Sequence, residues 1–117
     1  QFCYRHQVLE TTKLCAKKLN IEKEKWSVSF QSRIGPGWLK PFTDKVLDEL
    51  PEKNIKKLAV VCPAFVADNL ETLEEINIRA REQFLNNGGI EFTYIPCLND
   101  NNNWVDFLGN YIIQKGG

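Results

Sequence analysis

The sequence lacks most of the features that announce a function outright. Its 15 basic and 15 acidic residues cancel. No basic face is left to neutralise phosphates, so nucleic-acid binding has no electrostatic footprint, and no polybasic segment marks a membrane anchor. It holds one histidine, His6. With no second His and no Cys pair beside it, that segment cannot complete a transition-metal site, and His6 reads as a surface residue near a helix start. The four cysteines, Cys3, Cys15, Cys62 and Cys97, form no CxxC, which removes zinc ribbons and thioredoxin-like centres. Cys62 and Cys97 fall in or just after apolar runs, where reduced Cys acts as a small apolar side chain. No run approaches the roughly 20 apolar residues of a membrane-spanning helix, and there is no signal-peptide pattern. Walker, GxGxxG and GxSxG motifs are absent. Gly35-Pro36-Gly37 cannot cradle a phosphate, because Pro36 has no backbone N–H; it reads as a turn.

What is present describes a folded domain. The chain has 117 residues, 43% apolar and 11% aromatic, enough to bury roughly two thirds of its unfolded surface. A helix is expected over residues 4–19, with Val8, Leu9, Thr12, Cys15, Ala16 and Leu19 on its apolar stripe and Asn20 as its stop. The alternation in residues 26–30 predicts a strand, followed by a loop over 31–41. A short helix over 43–50 is capped by Thr43 or its neighbour and closed by Pro51. Residues 58–62 form a continuous apolar run, expected of a strand covered on both faces. The longest helix spans 70–85, with Leu73, Ile76, Ala80, Phe84 and Leu85 inward and Gly88-Gly89 as its stop. A third strand covers 92–95. A last helix covers 104–113, with a frayed Lys115-Gly116-Gly117 end.

The order α-β-α-β-α-β-α predicts an α/β fold: a parallel sheet flanked by helices on both faces, a three-layer Rossmann-like arrangement. All strand C-termini then share one edge. The loops starting at Gln31, Pro63 and Pro96 converge there, and a site is expected at that edge.

Two readings of the acidic run near that edge stand side by side. Glu71 and Glu75 are four apart and share a helix face, while Glu74 lies about 100° around the axis from Glu75. Carboxylates so placed can bind a cation or move protons. Equally, they are acids in the first turns of a helix capped by Asp68 or Asn69, where the backbone dipole favours them by about 0.3–1 kcal/mol. Trp38, Phe42 and Phe65 either cover the core or grip a flat apolar ring system. Arg33 is either a partner for a ligand carboxylate or a surface cation.

Taken in order, Phe30-Gln31-Ser32-Arg33 with Gly35, Trp38-Leu39-Lys40-Pro41 with Thr43-Asp44, Pro63-Ala64-Phe65 with Asp68, Glu71-Thr72-Leu73-Glu74-Glu75-Ile76 and Tyr94-Ile95-Pro96-Cys97-Leu98-Asn99 resemble the C-terminal half of the ferrochelatases, type II chelatases that insert ferrous iron into a porphyrin. The resemblance covers about residues 4 to 113. It implies that Glu71 is the catalytic glutamate, taking protons from pyrrole nitrogens, delivering metal, or both. It implies that Glu75 continues an acidic line for metal or protons, in a helix with a π-type distortion. By the same resemblance Trp38, Phe65, Asp68 and Asn69 line the porphyrin pocket, and Gln31, Ser32 and Arg33 lie near the porphyrin rim or its propionates. Two positions depart from the family pattern: Asn69 stands where many relatives have His, and Arg79 where a further carboxylate is often found.

The family's metal-inserting histidine motif, Ser-aromatic-His-Gly-aliphatic-Pro, has no match. The chain, which opens with Gln1, is therefore expected to be one C-terminal chelatase half-domain over residues 1–117, cut from a longer two-domain protein and missing the sheet's first strand. The isolated piece is expected to be inactive and to expose a strand edge through which it could dimerise. Fe²⁺ and a porphyrin, either protoporphyrin or coproporphyrin, are the implied substrates, with no organic cofactor and no iron–sulfur cluster. A bacterial cytoplasmic location is implied, with membrane contact left open. The alternatives are a chelatase for another tetrapyrrole or metal, such as cobalt, and a non-catalytic α/β binding module.

Overall fold

A computed structural model describes residues 3–31 and 40–116. The chain divides into two compact units, Gln1–Asn54 and Ile55–Gly117.

In the first unit, helix α1 spans Tyr4–Lys18. Val8, Leu9 and Thr12 are half-buried and Ala16 is buried. Cys15 and Leu19 are exposed, so the covered stripe is narrower than the sequence implied. The helix stops as expected: Asn20 turns to φ 57°, its N–H bonds the Lys17 carbonyl, and the Ile21 N–H reaches back to Ala16 at 2.8 Å. These paired bonds satisfy carbonyls that the last turn would leave open.

The strand expected over residues 26–30 is not formed. Only Phe30 makes a ladder contact, an isolated parallel bridge to Phe42. Its N–H bonds the Pro41 carbonyl at 2.9 Å, and its own carbonyl accepts from the Thr43 N–H at 3.1 Å. Alternation can favour extended backbone, but a strand also needs a partner along its length. Helix α2, Thr43–Glu52, is therefore not capped by a side chain. The Phe30 carbonyl takes its first N–H, and the Thr43 hydroxyl lies 2.8 Å from that of Ser29. Pro51 does not close α2; it lies inside the last turn and is buried with Leu47.

The second unit is built on two parallel strands, β1 (Lys57–Val61) and β2 (Glu91–Ile95), in register from Lys57 opposite Glu91 to Val61 opposite Ile95. The connection between them is helical, as a parallel crossover requires. This is the α/β class that the order of elements implied, with two strands rather than three among the described residues. The expectation that β1 is covered on both faces fails. Leu58 and Val60 are half-buried while Ala59 and Val61 are exposed.

The crossover begins as a π-helix, Glu71–Ala80, and continues as helix α3, Arg81–Asn86. At their junction the Arg81 N–H reaches the Ile76 carbonyl, five residues back, the signature of the wider turn. The buried face is Thr72, Ile76, Ala80 and Phe84. Leu73 and Leu85, expected inward, are 47% and 38% exposed. Ile76, Ala80 and Phe84 are buried as expected, and at the start of the helix Thr72 takes the inward place expected of Leu73. Phe84 is fully buried and meets Phe92 of β2 at 6.1 Å between ring centroids. Arg81 ties the same elements together: it donates to the Phe92 carbonyl at 2.7 Å and to the Asn77 side chain at 2.6 Å, with its guanidinium over the Phe92 ring. At Gly88, φ 107°, the chain leaves the helix, and Gly89 N–H bonds the Phe84 carbonyl. Helix α4 spans Asn102–Gly116, longer than expected, so Lys115 and Gly116 are helical. It buries none of its residues, and Phe107, Ile112 and Ile113 are among its exposed apolar side chains.

Candidate functional site

Both strands of the second unit end at the same edge, and the segments that follow are joined there. After β1 the chain turns at Pro63-Ala64, closed by the Phe65 N–H on the Cys62 carbonyl at 3.2 Å. After β2 it passes Pro96 and Cys97 to Asn99, which takes φ 50°. Asn99 fastens the two segments. Its N–H bonds the Val66 carbonyl at 2.8 Å, its side-chain oxygen accepts from the Asp68 N–H at 2.8 Å, and its side-chain nitrogen donates to Asp68 Oδ2 at 2.8 Å. The loops that start at Pro63 and Pro96 meet there as expected. Gln31 lies in the other unit.

The Asp68 carboxylate is the centre of this arrangement. Oδ2 takes Asn99, and Oδ1 accepts from the Tyr94 hydroxyl and from the Thr72 hydroxyl at 2.9 Å. Donors aimed at a carboxylate favour its ionised form. Tyr94 first, then Asn99, holds Asp68 well below the usual carboxylate range. The Tyr94 phenol is pushed up, by burial first and then by its bond to Asp68. Tyr94 also lies 3.7 Å from Cys97 Sγ. Burial raises the Cys97 thiol, and burial with the nearby Cys97 and Asp68 pushes Cys62 up to about 11.

Asn69 caps the helix that follows. Its side-chain oxygen accepts from the Glu71 N–H at 2.9 Å and the Thr72 N–H at 3.2 Å, while its own N–H bonds the Thr72 hydroxyl at 2.9 Å. This reciprocal pair answers two orphan donors at the helix start. The capping reading of the acidic run thus holds for Asn69, and its side-chain oxygen is engaged by the backbone.

Glu71 and Glu75 are exposed on the π-helix, and Glu74 is half-buried. Glu74 is ion-paired to Arg79 at 2.5 Å. Phe65 is half-buried beside the same strand end, and Gln31 is half-buried in the first unit. Ser32, Arg33 and Trp38 lie outside the described residues. Among the described residues, no three His, Cys, Asp or Glu side chains are gathered as a ready-made metal cage. Chemically, the edge offers two exposed carboxylates on a fixed helix start, beside an ionised carboxylate already engaged by the protein.

Sequence reasoning missed Thr72, Tyr94 and Asn99. Their signals were present but weak: Thr72 stands four residues after Asp68, Tyr94 shares the inward face of β2 with Phe92, and Asn99 is an Asn in a turn where a left-handed conformation suits it.

The sequence profile described as Ferrochelatase matches residues 1–116. The chain is 54% identical over 108 residues to a ferrochelatase of Pseudomonas aeruginosa, covering 92% of this chain and 32% of that protein. It is 54% identical over 109 residues to a ferrochelatase of Pseudomonas putida, with 92% and 32% covered. To one of Pseudomonas entomophila it is 55% identical over 107 residues, with 91% and 32% covered. It therefore spans about a third of the length of these curated relatives. A profile match over nearly every residue, together with the acidic helix start at the strand edge, establishes that the chain belongs to the ferrochelatase family.

Proposed function

We propose that this chain is the C-terminal half of a ferrochelatase that inserts Fe²⁺ into protoporphyrin IX or coproporphyrin III in haem biosynthesis. The observation that carries this reading is the pair of exposed carboxylates, Glu71 and Glu75, on a π-helix fixed at the C-terminal edge of the sheet. Exposed acids on a rigid element can take a hydrated cation and release it again. In this reading Glu71 accepts a proton from a pyrrole N–H or hands over the metal, and Glu75 passes metal or protons along the helix. Insertion replaces two N–H protons by one Fe²⁺, so a base near the ring is required. Trp38, Phe65, Asp68 and Asn69 are the residues assigned to the macrocycle pocket. Gln31, Ser32 and Arg33 meet its rim and propionates. The macrocycle is bent out of plane, which exposes nitrogen lone pairs. Iron is substrate, and no organic cofactor or iron–sulfur cluster takes part.

The partner in this reading is the N-terminal part of the same protein, which would supply the family's histidine and cover the exposed Val61, Ile95 and apolar side chains of α4. In isolation the chain is inactive, and its exposed strand edge can pair with a second copy. The location is the bacterial cytoplasm.

Anaerobic iron insertion by the full-length protein, run beside the isolated 117 residues, tests the proposal. Activity in the full-length protein with an inert fragment is expected. A folded full-length protein that inserts no metal into either porphyrin would favour the binding-module reading, and a preference for cobalt would favour the other chelatase.

A further inference from the structure

The loop between β1 and the π-helix, residues 62–69, has no regular structure, yet it carries the start of the helix that presents Glu71. A side chain at the end of such a loop needs an external anchor to hold the sub-ångström placement that catalysis demands. Tyr94 supplies that anchor. Tyr94 belongs to β2 and is paired opposite Val60, so its ring stands on the most regular part of the unit. Its hydroxyl donates to Asp68 Oδ1. The same oxygen accepts from the Thr72 hydroxyl at 2.9 Å, and the Thr72 side chain is 0% exposed. Thr72 is the neighbour of Glu71, and its hydroxyl in turn accepts the Asn69 N–H. Asn99 holds the other Asp68 oxygen.

We propose that Tyr94 is a positioning residue for Glu71, fixing the first turn of the π-helix through Asp68 and Thr72. The inference rests on the catalytic reading of Glu71. Asp68 becomes the hub of this relay, and its oxygens are engaged by protein donors. The lowered pKa of Asp68 agrees with this role, since the relay needs an acceptor at working pH. Glu71 itself stays exposed and carries the chemistry.

The test is a double-mutant cycle in the full-length protein, using Tyr94→Phe, Glu71→Asp and the pair, with kcat and KM measured for both substrates. Tyr94→Phe removes one hydroxyl and keeps the ring. It is expected to lower kcat about tenfold, within what a misplaced catalytic group loses. KM for porphyrin should stay within about twofold, because the removed hydroxyl is not among the groups that meet the ring. With Glu71→Asp already present, the same change should cost less than about twofold, since coupled residues are not additive. Unchanged kcat in Tyr94→Phe overturns the proposal, as does an equal loss with and without Glu71→Asp. If Tyr94→Phe does not fold, Thr72→Val breaks the relay one step later and is read by the same cycle. Full turnover in Glu71→Asp and in Glu71→Gln would remove Glu71 from catalysis, a failure of the functional reading that is separate from failure of the cycle.

Discussion

Arg79 and Glu74 are five residues apart and ion-paired at 2.5 Å. In a regular α-helix residues five apart sit about 140° around the axis from one another. The wider π turn, bonded over five residues, brings them closer together around the axis. The position where the family often carries a further carboxylate is thus occupied by a cation with a local partner.

This pair lies at the surface, with Arg79 exposed and Glu74 half-buried. Such pairs contribute about 0.2–1 kcal/mol and are screened by salt. Arg79→Ala should therefore lower unfolding stability by less than about 1 kcal/mol at low salt. The difference should shrink in high salt, as read by urea denaturation under both conditions. A salt-independent loss would mean that Arg79 acts through something other than this pair.

Asp68 predicts a pH dependence. Its folded pKa lies below that of the unfolded chain, about 3.9. The stabilisation is therefore fully present above that value and is lost as pH falls through it towards the folded pKa. Urea midpoints at pH 7 and pH 3 should fall further for the native protein than for Tyr94→Phe, which lacks the first donor holding Asp68 ionised. Equal falls would contradict this assignment.

Gly89 predicts a steric cost. A Cβ there would lie 2.3 Å from ring carbons of Phe84 and 2.8 Å from its carbonyl oxygen. Phe84 is fully buried and cannot yield easily. Gly89→Ala should destabilise by about 1–3 kcal/mol, the usual cost of overpacking, measured by chemical denaturation. A neutral substitution would show that the helix stop relaxes freely.

The thiols should differ in reactivity. Cys3 is exposed at the start of α1, where the backbone N–H groups of His6, then Arg5, lower its pKa. Cys62 is pushed up to about 11. Only the thiolate is the nucleophile, so iodoacetamide at pH 8 should label Cys3 well before Cys62, followed by peptide mass spectrometry. The reverse order would contradict the placement of these thiols.

The sequence made some of this legible and hid the rest for physical reasons. Apolar runs ending in Pro63 and Pro96 marked β1, β2 and the edge where their loops meet. Asn20 and Gly88-Gly89 marked helix stops because their backbone preferences are local. The alternation in residues 26–30 did not, because a strand depends on a partner elsewhere in the chain. The π turn was expected only through the family resemblance. Residue periodicity does not report a hydrogen bond lengthened from four residues to five, so Leu73 was placed inward in the position that Thr72 holds. Tyr94 read as a strand aromatic and Asn99 as a polar loop residue. Their shared partner Asp68 is 26 and 31 residues away, a pairing that only the folded chain brings together.

The most direct measurement of the central claim is turnover of Glu71→Gln in the full-length protein, assayed anaerobically for iron insertion with folding checked by circular dichroism. Gln keeps the shape and removes both the charge and the base. A fall in kcat of at least about a hundredfold is expected, the range for loss of an acid–base group, in a protein that stays folded. Turnover within a factor of about two of the native protein would contradict it and leave Glu71 as one more acid in the first turn of a capped helix.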